Sequence, residues 1–173
     1  MTIFVDMDDV LADTYGKHIE LYNQEHKKEL SLSHITSGEV WQNVPETYQG
    51  SIRDHVNQLG FFRDLEPIKD SIEVMRKLCD KHDVYIATAA TQFPDSLKEK
   101  SEWLDEHFPF IDWQHRIMCG HKFILRGDVL IDDRTYNLEN FIGETLLFTS
   151  PHNINDSGYE RVSTWLEIEE RLL

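Results

Sequence analysis

Two aspartates one residue apart, Asp6 and Asp8, stand at the end of a short apolar run, Ile3 to Val5. Paired carboxylates there can bind a hard cation, act as a nucleophile, or pass a proton to a leaving group. Beside a buried core they are costly unless a cation or hydrogen bonds compensate. An acidic turn after a strand would account for a lone Asp-x-Asp, so the other apolar runs decide. Val129 to Ile131 drives into Asp132 and Asp133, and Val84 to Ala87 into Thr88. Four carboxylates brought to one place would repel strongly. A divalent cation relieves that repulsion, and Mg2+ suits a few carboxylates completed by water and phosphate.

The elements that must position these groups follow from periodicity. Strands are expected at Ile3–Val5, Val84–Thr88, Arg116–Cys119, Val129–Ile131 and Thr145–Phe148. Asp13 can cap a helix running through Tyr15, Ile19, Leu21 and Tyr22 toward Lys28. Further helices are expected over Ile68–Lys81, with Ile72, Met75 and Leu78 on one face, over Ser96–His107, near Tyr136–Phe141, and over Ser163–Leu173. This alternation predicts an α/β fold, a Rossmann-like doubly wound parallel sheet whose strand ends converge on one crevice. Residues 14–66 are too long for one crossover and contain Gly38 and Pro45 in a mixed stretch, with helical character again from Glu46 to Leu59. They are expected to form a small inserted helical cap, which leaves 1–13 and 67–173 as the core.

The 173 residues, 40% hydrophobic, suffice for one core with a small second lobe, and the formal net charge of -15 argues against a polynucleotide partner. Cys79 and Cys119 make neither a disulfide framework nor a metal spacing, and the nine histidines show no metal spacing either. Charge appears by residue 6 without a signal pattern, and no run approaches the ~18 apolar residues of a membrane span. A cytoplasmic protein that uses no membrane is expected.

Four segments carry a resemblance: Asp6-Met7-Asp8-Asp9-Val10-Leu11-Ala12-Asp13, Phe61-Phe62-Arg63-Asp64-Leu65-Glu66-Pro67, Val84-Tyr85-Ile86-Ala87-Thr88 and Asp128-Val129-Leu130-Ile131-Asp132-Asp133-Arg134. Together they resemble the haloacid dehalogenase superfamily of aspartate-nucleophile phosphatases, and within it the 5'(3')-deoxyribonucleotidases. The resemblance implies that Asp6 is the nucleophile and Asp8 the general acid and base, with its carbonyl touching the metal. It implies that Thr88 and Lys100 hold the phosphate, Lys100 also holding the nucleophile, although Lys98 and Lys122 compete for that place. Asp6, Asp8 and Asp132 would bind Mg2+, with Asp133 behind them as an orienting or second metal-site group. Two positions depart from the pattern: Asp9 stands where many relatives carry Gly, and Ala89 where some carry Ser.

The expected insertion is rich in aromatics, and nucleobases stack on aromatic faces at ~1–3 kcal/mol each. Trp41, Phe61 and Phe62 are therefore candidates for a base-binding wall. The implied partner is a small-molecule nucleoside monophosphate, with a homodimer left open. A phosphosugar or phosphoglycolate is the alternative substrate. A non-catalytic phosphate-binding module is the alternative from another class, and the presence of both Asp6 and Asp8 speaks against it.

Overall fold

The computed structural model describes residues 1–173. Six parallel strands form one sheet: β1 Thr2–Val5, β2 Asp83–Thr88, β3 Arg116–Met118, β4 Arg126–Asp132, β5 Ile142–Phe148 and β6 Glu160–Val162, in the order β3-β2-β1-β4-β5-β6. The chain builds outward from β1 on one side, then returns to lay β4 against β1 on the other. Strand order therefore reverses between β1 and β4, the place where a doubly wound sheet opens a crevice at its carboxyl ends. The short edge strand β6, Glu160-Arg161-Val162, has a single apolar residue and so lacks a sequence signal.

Period-two alternation sorts the strand side chains. Ile3, Val5, Val84, Ile86, Val129, Ile131, Leu146 and Phe148 pack into the larger core, beneath helices α3 (Ser71–Lys81), α4 (Pro94–His107) and α6 (Trp165–Leu172). Phe4, Ala87, Leu130 and Leu147 face the opposite way, toward Leu138 and Phe141 around the short helix α5 (Thr135–Leu138). Trp165 and Trp103 are wholly buried in the larger core, and each indole N–H has a carbonyl partner, Val10 at 2.8 Å and Leu65 at 2.7 Å. Burial of side chains of this size is worth on the order of 4 kcal/mol each. The two rings thereby pin the loop after β1 and the segment that precedes Pro67.

Helix α1 (Thr14–His26) starts at Asp13, whose side chain accepts from the Gly16 N–H at 2.7 Å, and α2 (Glu46–Asp54) follows two short 3-10 turns. Tyr15, Ile19, Tyr22, Ile35, Val40, Val44 and Ile52 form a separate apolar cluster from this region alone. Its two connections to the sheet are paired, Asp13 N–H to the Glu66 carbonyl at 2.9 Å and Ile68 N–H to the Leu11 carbonyl at 2.7 Å. Phe61, Phe62 and Leu65, though they precede Pro67, pack into the larger core. No helix is long and apolar enough to cross a membrane.

Candidate active site

Asp6 extends the central strand by one residue, its N–H donating to the Ile131 carbonyl at 2.9 Å. Beyond it the buried Met7 turns the chain, and its carbonyl accepts from the Leu11 and Ala12 amides at 2.8 and 2.9 Å. Asp9 adopts a left-handed φ of 55°, which Asp tolerates better than most residues. Its Oδ1 accepts from Thr14 N–H at 3.0 Å, Thr14 Oγ1 at 2.6 Å and Tyr15 N–H at 3.3 Å, so this carboxylate serves the start of α1. Burial pushes the Asp9 carboxyl up to about 7, against the lowering effect of the Thr14 hydrogen bonds.

Two fully buried lysines divide the acidic groups between them. Lys100 Nζ donates to Asp8 Oδ2 at 2.6 Å, Thr88 Oγ1 at 3.0 Å and the Ala89 carbonyl at 3.0 Å. Lys122 Nζ stands 2.6 Å from Asp6 Oδ1 and 2.5 Å from Asp132 Oδ2. The ammonium on Asp6 is thus that of Lys122, while Lys100 holds Asp8 and Thr88. Lys98 is 82% exposed and takes no part. Burying such charges costs on the order of several kcal/mol per ion, which ion pairing only partly repays, so stability alone does not explain two of them here.

Asp132, at the tip of β4, also accepts from the Arg134 N–H at 2.8 Å and from Asn137 Nδ2 at 3.0 and 3.1 Å. Burial raises its carboxyl above the usual range, with Lys122 pulling the other way. Asp133 is raised further, first by burial and then by the negative charge of Asp6 and Asp132. Its carbonyl accepts from His152 Nε2 at 2.9 Å and Asn153 Nδ2 at 2.8 Å, side chains to which sequence assigned no role. Oxygen atoms of Asp6, Asp132 and Asp133 lie within 4.8 Å of one another, all three residues buried. Asp133 thus groups with Asp6 and Asp132 in a carboxylate cluster that could hold a cation, and the Asp8 side chain is not part of that cluster.

Asp8 is set up differently. Burial raises its carboxyl, Lys100 lowers it and Asp6 raises it again, so the net direction is upward. Oδ1 is buried without a hydrogen-bond partner. A carboxyl raised in this way is suited to donate a proton and take one back.

Asp6, Asp8, Lys122 and Asp133 line a cavity of about 180 Å3. A second cavity, of about 390 Å3, shares Asp8, Gln92, Phe93 and Arg134 with the first and is walled by Trp41, Phe61 and Phe62, with Asp9, Thr14, His18, Glu39 and Arg53 among its polar lining. All three aromatic candidates reach it. Phe61 and Phe62 meet edge to face at 4.8 Å, and Glu99 fixes their backbone by accepting from the Gly60 and Phe62 amides at 2.6 and 3.0 Å. Glu39 bridges the two regions through an ion pair with Arg134 at 2.6 Å.

The family described as 5' nucleotidase, deoxy (pyrimidine), cytosolic type C protein matches residues 1–173. The 5'(3')-deoxyribonucleotidase of Bacillus subtilis is 39% identical over 173 residues, covering 99% of this chain and 98% of that one. A Staphylococcus aureus protein, provisionally given the same name, is 42% identical over 172 residues, covering 99% and 95%. Among solved structures, a haloacid dehalogenase family hydrolase from Deinococcus radiodurans superposes with a TM-score of 0.60 at 14% identity, covering 96% of this chain and 92% of that one. A haloacid dehalogenase-like hydrolase from Streptococcus pneumoniae gives 0.58 at 13%, covering 99% and 98%. The chain belongs to the 5'(3')-deoxyribonucleotidase family, phosphoric monoester hydrolases built on the haloacid dehalogenase fold.

Proposed function

We propose that this protein is a Mg2+-dependent, cytoplasmic phosphatase of (deoxy)ribonucleoside 5'(3')-monophosphates that works through an aspartyl-phosphate on Asp6. The observation that carries the reading is the contrast between two aspartates one residue apart: Asp6 sits in a cluster of three buried carboxylates, and Asp8 has a raised pKa and an unpartnered oxygen. The donor set fits Mg2+, because three buried carboxylates have hard oxygen ligands and more negative charge than Lys122 neutralises. Asp6, Asp132 and Asp133 would hold the ion, which when bound supplies charge neutralisation and anchorage for a phosphoryl oxygen.

In the first half-reaction an Asp6 oxygen forms a bond to phosphorus while the ester P–O bond breaks. The departing alkoxide takes the proton from Asp8. In the second, Asp8 removes a proton from water, the water oxygen bonds to phosphorus, and the Asp6–phosphorus bond breaks to release phosphate. Two easier displacements replace one hard one. Lys122 cancels charge on the attacking carboxylate, and Lys100 with Thr88 would hold phosphoryl oxygens, since anionic attack on an anionic ester is governed by electrostatics.

Residues 14–66 serve as the cap. Anchored through its paired neck and the Glu39–Arg134 bridge, the cap covers the larger cavity, where the Trp41, Phe61 and Phe62 rings would receive the base. Initial rates on dTMP, dUMP, UMP and phosphoglycolate test this. The nucleotides, deoxy forms above ribo, are expected to exceed phosphoglycolate by at least about tenfold in kcat/KM, roughly one stacking interaction. A reversed order contradicts the aromatic site.

A further inference from the structure

A hydrogen-bonded relay from the far side of the cap ends in the larger cavity. Glu25 Oε2 lies 3.2 Å from His55 Nε2, and His55 Nδ1 lies 3.1 Å from His18 Nδ1. The two rings are tilted by only 24° with centroids 5.3 Å apart, so they meet edge to edge, nearly in plane, as a nitrogen-to-nitrogen hydrogen bond requires. His55 is wholly buried, whereas His18 lines the cavity with the Phe61 ring 4.8 Å from its own.

Proton placement along an uncharged pair follows by elimination. A carboxylate only accepts, so a neutral His55 carries its proton on Nε2 and leaves Nδ1 bare. A bare His55 Nδ1 must receive the proton on His18 Nδ1. His18 Nε2 is then a lone pair, and it has no protein partner. Burial, reinforced by the neighbouring His55, holds the His18 pKa down to about 4, consistent with a neutral ring at neutral pH.

We propose that His18 is a specificity residue, accepting a hydrogen bond from an N–H on the edge of the nucleobase, with its polarity imposed by Glu25 through His55. This rests on the reading that a nucleotide's base occupies the larger cavity. The ligand class is a base that offers N–H to the cap, and a base alkylated there is rejected because it brings a methyl group to a bare lone pair.

The test compares kcat/KM for dTMP and for its 3-methyl analogue at about pH 8, where an imidazole of ordinary pKa is uncharged. Wild-type enzyme is expected to favour dTMP by about tenfold or more, the worth of one hydrogen bond to a group otherwise left unpaired. In His18→Leu that ratio is expected to fall to about one. An unchanged ratio in His18→Leu overturns the His18 proposal, while the nucleotide reading stands if dTMP still outruns phosphoglycolate in the wild type. Failure of that second comparison strikes the nucleotide reading instead. Nitrogen-15 NMR of the unmutated protein tests the relay independently of any variant's folding. His18 Nε2 is expected to show the shift of an unprotonated nitrogen, and a protonated Nε2 overturns the proposal.

Discussion

Lys100 binds Asp8 through one carboxylate oxygen only, Oδ2 at 2.6 Å, and leaves Oδ1 buried with no partner. The lysine opposes the rise that burial imposes on the Asp8 pKa. In Lys100→Met that opposition is gone, so the limb of the kcat–pH profile governed by Asp8 is expected to move to higher pH. Turnover on dTMP should drop by about 10²-fold or more as Thr88 and the phosphoryl group lose their cation. A limb that stays in place or moves downward contradicts this role.

Lys122, rather than Lys100, is the lysine against Asp6. Lys122→Met leaves Asp6, Asp132 and Asp133 with no ammonium between them. A kcat/KM loss of about 10³-fold is expected, the scale of removing a preorganised electrostatic donor. Lys98→Met, at a solvent-exposed position, should stay within about twofold of wild type. Steady-state kinetics on dTMP for the two variants decide it.

The contrast between these lysines shows what the sequence makes legible. Asp6, Thr88 and Asp132 can be found because each ends an apolar run, and strand periodicity then fixes where they emerge. Lys100 and Lys122 follow no such rule. Lys122 opens a three-residue 3-10 turn between β3 and β4, and three residues have no period to read. The only signal was its position between two strands, just after the carboxyl end of the third. Asp133 lies beyond the end of β4, so strand alternation could not say whether it joins Asp132 or turns away. The separate apolar cluster of residues 15–52 was visible as aromatic helices, but the inward packing of Phe61 and Phe62 depends on Glu99, nearly forty positions later.

Metal-free protein should lose stability as pH rises. Asp8, Asp9, Asp132 and Asp133 all have raised carboxyls, so the folded state holds their protons more tightly than the unfolded chain. Their effect falls from about pH 4 upward, reaching about 7 for Asp9. His18 acts in the opposite sense, because its lowered pKa makes stability rise from about 4 to its ordinary 6.5. The carboxylate effect is therefore read cleanly between about pH 6.5 and 8. Over that window the Tm of EDTA-treated wild type is expected to fall. Asp9→Asn, which keeps an acceptor for Thr14 and Tyr15, should fall less, and excess Mg2+ should raise Tm most at the upper end. Calorimetry showing Tm flat or rising in the EDTA-treated wild type contradicts the burden of buried carboxylates.

Trp41 is the aromatic of the larger cavity whose loss least threatens the core. It is half-buried beneath Arg53, whereas Phe61 and Phe62 lie within the main core. Trp41→Ala should raise KM for dTMP by about tenfold with kcat within about threefold, as expected for one lost stacking partner. Phe61→Ala should mainly lower Tm, because truncating a buried Phe costs about 3–5 kcal/mol. An unchanged KM in Trp41→Ala removes that ring from the base site.

The most direct test is to catch phosphate on Asp6. Enzyme mixed with dTMP and Mg2+ is acid-quenched within a turnover, reduced with borohydride, which converts an acyl phosphate to homoserine, and sequenced by mass spectrometry. The expected result is homoserine at position 6 in wild type and none in Asp6→Asn. Normal turnover of dTMP with position 6 unmodified at every quench time would contradict covalent catalysis by Asp6.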